Sequence, residues 1–103
     1  MKPITAEQFV ALTTNPKYGE VELTKGFVNK IQRVLKKDYD LPARISIDDF
    51  DELHRKYPMF VYSGYSIKIK TDLGFIKQIQ ASTKELPLEI KNQIRQAYMK
   101  CVG

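Results

Sequence analysis

Between Tyr65 and Lys70 the chain alternates with a period of two, Tyr65, Ile67 and Ile69 against Ser66, Lys68 and Lys70, while segments on both sides space their apolar residues three and four apart. A period of two marks a strand with one buried face, and a period of 3.6 marks an amphipathic helix. A chain carrying both in separate blocks, rather than in regular βαβ alternation, is of the α+β class.

The helical blocks are read from their apolar spacing and their caps. The spacing predicts a first helix over Ala6 to Thr14, with Thr5 as N-cap, Gln8 completing a capping box and Asn15-Pro16 as the stop. Lys17 to Leu23 reads as a loop, with a short extended piece at Val21 to Leu23. A second helix is predicted over Lys25 to Asp38, where Phe27, Val28, Ile31, Val34 and Leu35 line one face behind the N-cap Thr24. Asp40 to Ile45, interrupted by Pro42, reads as a connector. A third helix is opened by Ser46 and Asp49 and ended before Pro58. From Met59 to Ser82 a β-hairpin is predicted, with Asp72-Leu73-Gly74 as its turn and Phe75 to Ala81 as its second strand, bulged or buried on both sides. The last helix starts near Pro87 and places Ile90, Ile94, Ala97, Tyr98 and Cys101 on one side. The expected architecture is one small α+β domain over residues 1–103: three N-terminal helices, an antiparallel hairpin or small sheet, and a C-terminal helix.

At 103 residues the chain can bury one core, and a hydrophobic fraction of 43% takes it out of the disordered class. The single cysteine, Cys101, excludes an internal disulfide framework and a multi-thiolate zinc site, and fits a reducing compartment. Met1 to Glu7 has no apolar region of the secretory type, and the longest uncharged stretch, Tyr57 to Ile67, falls well short of the roughly 20 residues a spanning helix needs. A cytoplasmic protein without a membrane span is expected.

Seventeen basic residues against twelve acidic ones give a net charge of +5, which favours acidic partners. The excess is clustered. On the second helix Lys30, Arg33 and Lys37 recur at i, i+3 and i+7, flanked by Lys25 and Lys36, with no acidic residue between Thr24 and Lys37. Such a stripe suits the phosphates of a nucleic-acid backbone; it also suits plain solvation. A second basic surface is expected on the hairpin, where Lys68, Lys70 and Lys77 lie near Tyr62 and Tyr65, an arrangement fit for stacking unpaired bases. The competing reading is that the tyrosines pack and the lysines guard a strand edge. On the last helix Lys91 and Arg95 share a face with Leu88 and Met99, a composition found in protein-binding patches.

Asp48, Asp49, Asp51 and Glu52 cluster in the manner of metal ligands, but Asp51 with Arg55 and Glu52 with Lys56 are spaced as i, i+4 ion pairs, and no calcium-loop spacing occurs. His54 is the only histidine and sits at the rim of the apolar stripe of Ile47, Phe50, Leu53 and Tyr57. No nucleophile elbow, glycine-rich phosphate loop or paired-histidine motif is present. The expectation is therefore a non-enzymatic binding or regulatory protein with no cofactor, contacting DNA, RNA or a nucleoprotein. The alternatives are a small inhibitor or adaptor that engages an acidic protein surface, and a small metal-independent ribonuclease built on Lys68, Lys70, Tyr62, Tyr65 and His54.

Overall fold

The computed structural model describes residues 3–14, 20–45 and 47–102; for residues 20, 21, 47 and 48 the backbone alone is described. It is an α+β fold, as the two periodicities require. In chain order the elements are β1 (Ile4–Thr5), α1 (Ala6–Thr13), β2 (Glu20–Thr24), α2 (Lys25–Tyr39), β3 (Ala43–Arg44), α3 (Ile47–Lys56), β4 (Phe60–Tyr62), β5 (Ser66–Lys70), α4 (Leu73–Gln80) and α5 (Leu88–Val102), with a 3₁₀ turn at Ala81–Thr83.

Helix α1 is central. Its capping box forms as the sequence suggests: Gln8 N–H donates to the Thr5 hydroxyl oxygen at 3.2 Å, and Thr5 N–H donates to Gln8 Oε1 at 3.1 Å. Ala6, Phe9, Val10, Ala11 and Leu12 are all buried, and α3, α4, α5 and the 3₁₀ turn pack around them. A short helix that is apolar on most sides belongs inside a core rather than on its surface. The predicted stop at Asn15-Pro16 lies outside the described residues.

The main sheet has the order β2-β5-β4, antiparallel throughout. Ile67 and Ile69 of β5 are buried and stand opposite Leu23, Tyr62 and Phe60, so this face looks into the core. Phe60 then meets Phe75 and Tyr57 with ring centroids 5.3 and 5.7 Å apart, joining sheet, α4 and α3. Strand β2 is longer than the short extended piece expected, because Glu20–Thr24 pairs along the whole of β5.

Two expectations are corrected. The hairpin turn lies at Ser63 to Tyr65, where Ser63 N–H donates to the Ser66 carbonyl at 3.0 Å and Gly64 takes φ +96°, a region that glycine occupies without steric cost. The segment expected as its second strand, Phe75 to Ala81, is instead helix α4 running into the 3₁₀ turn. Asp72 is the N-cap of that helix, its Oδ1 accepting the Phe75 N–H at 2.7 Å, and Phe75, Ile76 and Ile79 turn one buried face inward. The Asp40 to Ile45 connector also contains β3, which pairs in parallel with β1 through Ile4 opposite Ala43.

Candidate functional site

Helix α2 begins at Thr24, whose hydroxyl accepts the Phe27 N–H at 3.1 Å, and buries Val28, Ile31 and Leu35. Lys25, Lys30, Arg33, Lys36 and Lys37 are all exposed on its remaining surface. The helix is flanked on one side by α5, where Phe27 meets Tyr98 edge-on at 5.7 Å, and on the other by β3. Gln32 fixes the second flank by donating from Nε2 to the Ile45 carbonyl at 2.7 Å.

The turn after α2 completes the site. Asp40 adopts the left-handed conformation at φ 52° and ψ 36°, which aspartate tolerates better than most side chains. The buried Leu41 follows, its N–H donating to the Leu35 carbonyl at 2.9 Å, and the chain doubles back so that Pro42 and Ala43 lie beside α2. The result is an open groove of about 530 Å³ lined by Gln32, Arg33, Lys36, Lys37, Pro42 and Ala43. Three cations share it with no acidic side chain among the described residues, and half-buried Pro42 and Ala43 form an apolar wall. Charge of one sign beside a low-dielectric wall concentrates its field outward and raises the local concentration of anions.

The predicted site residues separate on this frame. Arg33 and Lys37 converge in the groove; Lys30 turns the other way and donates from Nζ to the Cys101 carbonyl at 3.4 Å, bonding one of the last carbonyls of α5. Lys36, which lies off the i, i+3, i+7 stripe, takes its place as the third groove cation. A helical wheel sets Lys36 beside the stripe on the solvent side of α2 but does not show which neighbour stands at each flank, so its place in the groove follows only from the position of β3.

The hairpin residues do not form the expected stacking platform. Lys68 and Lys70 are exposed on the outer face of the sheet, but Tyr62 is half-buried on the opposite face, in register with buried Ile67. Tyr65 is exposed in the turn, and Lys77 belongs to α4 rather than to a strand. Lys68 also stands directly between Glu22 and Val61, so the outer face carries charges of both signs. On α5 Arg95 is exposed and Lys91 half-buried.

A second groove, about 920 Å³, opens between the start of α1 and α3 and is lined in part by Glu7, Arg44, Asp49, Glu52, Arg55 and Lys56. Its charges are mostly engaged. Tyr57 Oη donates to Glu7 Oε1 at 2.6 Å, Lys56 Nζ lies 3.2 Å from Glu7 Oε2, and Arg55 pairs with Asp51. Glu52 was expected to pair with Lys56; Glu7 has displaced it, reaching across from α1. Burial, with Glu7 alongside, pushes the Tyr57 hydroxyl above its ordinary pKa, and the bond to Glu7 raises that of Lys56. A buried phenol that donates to a carboxylate from another helix tethers the two elements. His54 is similarly committed, its Nδ1–H donating to the Phe60 carbonyl. Among the described residues no three His, Cys, Asp or Glu side chains gather as metal ligands.

No family model, curated protein or solved structure matches this chain. Function must therefore be argued from the site itself. Among the described residues no helix is long and apolar enough to cross a membrane.

Proposed function

We propose that the protein binds the phosphate backbone of a nucleic acid, free or within a nucleoprotein, through the outward face of α2, and that it acts by occupying its target rather than by catalysis. The observation that carries this reading is the convergence of Arg33, Lys36 and Lys37 on a groove that no acid lines among the described residues. Elsewhere Arg55, Lys56 and Lys100 are held by Asp51, Glu7 and Asp38. The groove cations have no such partner among the described residues, and those at i, i+3 and i+4 repel one another by a few tenths of a kcal/mol each. An anionic ligand relieves that repulsion and gains the release of its own condensed counterions.

The reading favours backbone contact over base reading. Arginine and lysine ends on an exposed helix suit phosphate oxygens, and among the described residues no aromatic side chain lines the groove to stack a base. The test is binding of labelled single- and double-stranded DNA and RNA to the whole chain, from low to physiological salt, beside a variant with Arg33, Lys36 and Lys37 all changed to Gln. Micromolar binding at low salt that weakens in the variant by at least about tenfold is expected, each lost factor of ten being roughly 1.4 kcal/mol. Absence of binding at low salt, or equal binding by the variant, would overturn the reading.

A further inference from the structure

Helix α5 carries a surface of different character from that of α2. Leu88, Met99 and Val102 are 70%, 65% and 56% exposed, three of the six large apolar side chains left open among the described residues. Leu88, Lys91, Arg95, Met99 and Val102 follow one another at spacings of three, four, four and three, so they form one line along α5. Buried Ile94, Ala97 and Cys101 hold the inner side of the same helix. The line is apolar at both ends, cationic in the middle and free of acidic residues.

We propose that this line docks an amphipathic helix of a partner protein, one that is apolar where it meets Leu88, Met99 and Val102 and acidic where it meets Lys91 and Arg95. Spacings of three and four are those by which one helix presents a continuous seam to another. The two cations select the occupant. In a second copy of this chain, parallel pairing sets Lys91 and Arg95 against themselves, and antiparallel pairing centred on the line sets Arg95 against Arg95; like charges inside a seam disfavour it. A bilayer surface is also a poor fit, because helices that lie on membranes keep their cations on the polar face, and here they sit between the apolar residues. An acidic helix satisfies both the apolar ends and the charged centre. The surface is separate from the α2 groove, so the inference stands without the nucleic-acid reading.

The experiment uses a displayed library of short helices, randomised at the positions of one face, selected against the whole chain. Recovered peptides are then made synthetically and titrated against the parent and a Leu88→Asp/Met99→Asp variant, with circular dichroism confirming that the variant folds. Peptides with apolar anchors flanking Asp or Glu are expected, binding the variant at least about tenfold more weakly and losing a similar factor when their acids become Lys. Peptides without an acidic excess, peptides indifferent to the variant, or no peptide binding below millimolar would overturn the proposal. So would parent protein that instead forms a dimer, or binds phosphatidylserine vesicles, in a manner abolished by the same two substitutions.

Discussion

The two grooves hold equal numbers of cations and use them in opposite ways. Beside α1 and α3, Arg44, Arg55 and Lys56 share their groove with Glu7, Asp49 and Glu52; beside α2, Arg33, Lys36 and Lys37 share theirs with no acid among the described residues. In the first, opposite charges arrive from different elements, and the bonds from Lys56 and Tyr57 to Glu7 tie α3 to α1. In the second, no ion pair among the described residues engages the cations, and Asp38, whose field reaches Lys37, is itself bonded to Lys100. One groove spends its charges on cohesion, and the other presents them to solvent.

That contrast makes separable predictions. The largest stability effect is expected from Glu7→Ala, which leaves the Tyr57 hydroxyl without its acceptor; Tyr57 is only 5% exposed, and such a loss costs about 1–3 kcal/mol. Urea denaturation should show this loss while nucleic-acid affinity stays within about twofold, and a large loss of affinity in a folded Glu7→Ala protein would break the division between the grooves. Outside both grooves, Asp72→Ala removes the N-cap of α4 and should cost about 1 kcal/mol by the same measurement. Replacing Arg33, Lys36 and Lys37 with Gln should change stability by less than about 1 kcal/mol, since the mutual repulsion it removes is offset by the lost attraction of Lys36 and Lys37 to the C-terminal end of α2 and of Lys37 to Asp38. A marked destabilisation would mean these side chains hold the fold.

The smallest effect concerns the one acidic partner near the end of α2. Lys100 Nζ lies 2.5 Å from Asp38 Oδ2, and that bond lowers the Asp38 pKa below its ordinary value and raises that of Lys100. A carboxyl whose folded value is depressed contributes its stability above the unfolded value, near 4, and loses it as pH falls through the lower folded one. Asp38→Asn should therefore be slightly less stable than the parent at neutral pH, with the difference closing under acid. A gap that persists at the lowest pH would assign Asp38 a role other than its charge.

Much of the fold was legible because its signals are local. Thr5 with Gln8, Thr24 before the apolar face of α2, and the spacing of Ile94, Ala97 and Cys101 each lie within a few turns of one helix. The misreading of Phe75 to Ala81 has a physical reason. Phe75, Ile76 and Ile79 fit a helical face at i, i+1 and i+4, but Asp72-Leu73-Gly74 carries turn chemistry that serves a hairpin as readily as an N-cap. The acceptance of the Phe75 N–H by Asp72 decides between them. Strands of two residues, such as β1 and β3, are too short to show a period. The candidate site was half legible for the same reason: Arg33 and Lys37 follow from the helical spacing, whereas Lys36, and the turn of Lys30 toward α5, depend on neighbours brought in by Asp40 and Gln32.

The central claim, that the α2 groove binds phosphate, is tested most directly by the salt dependence of duplex DNA binding in the parent and in the Arg33→Gln/Lys36→Gln/Lys37→Gln protein. On B-form DNA each phosphate neutralised contributes about −0.9 to the slope of log K against log salt concentration. The variant is expected to flatten that slope by about 2 to 3. An unchanged slope, with affinity retained, would contradict the account and move the binding surface away from α2.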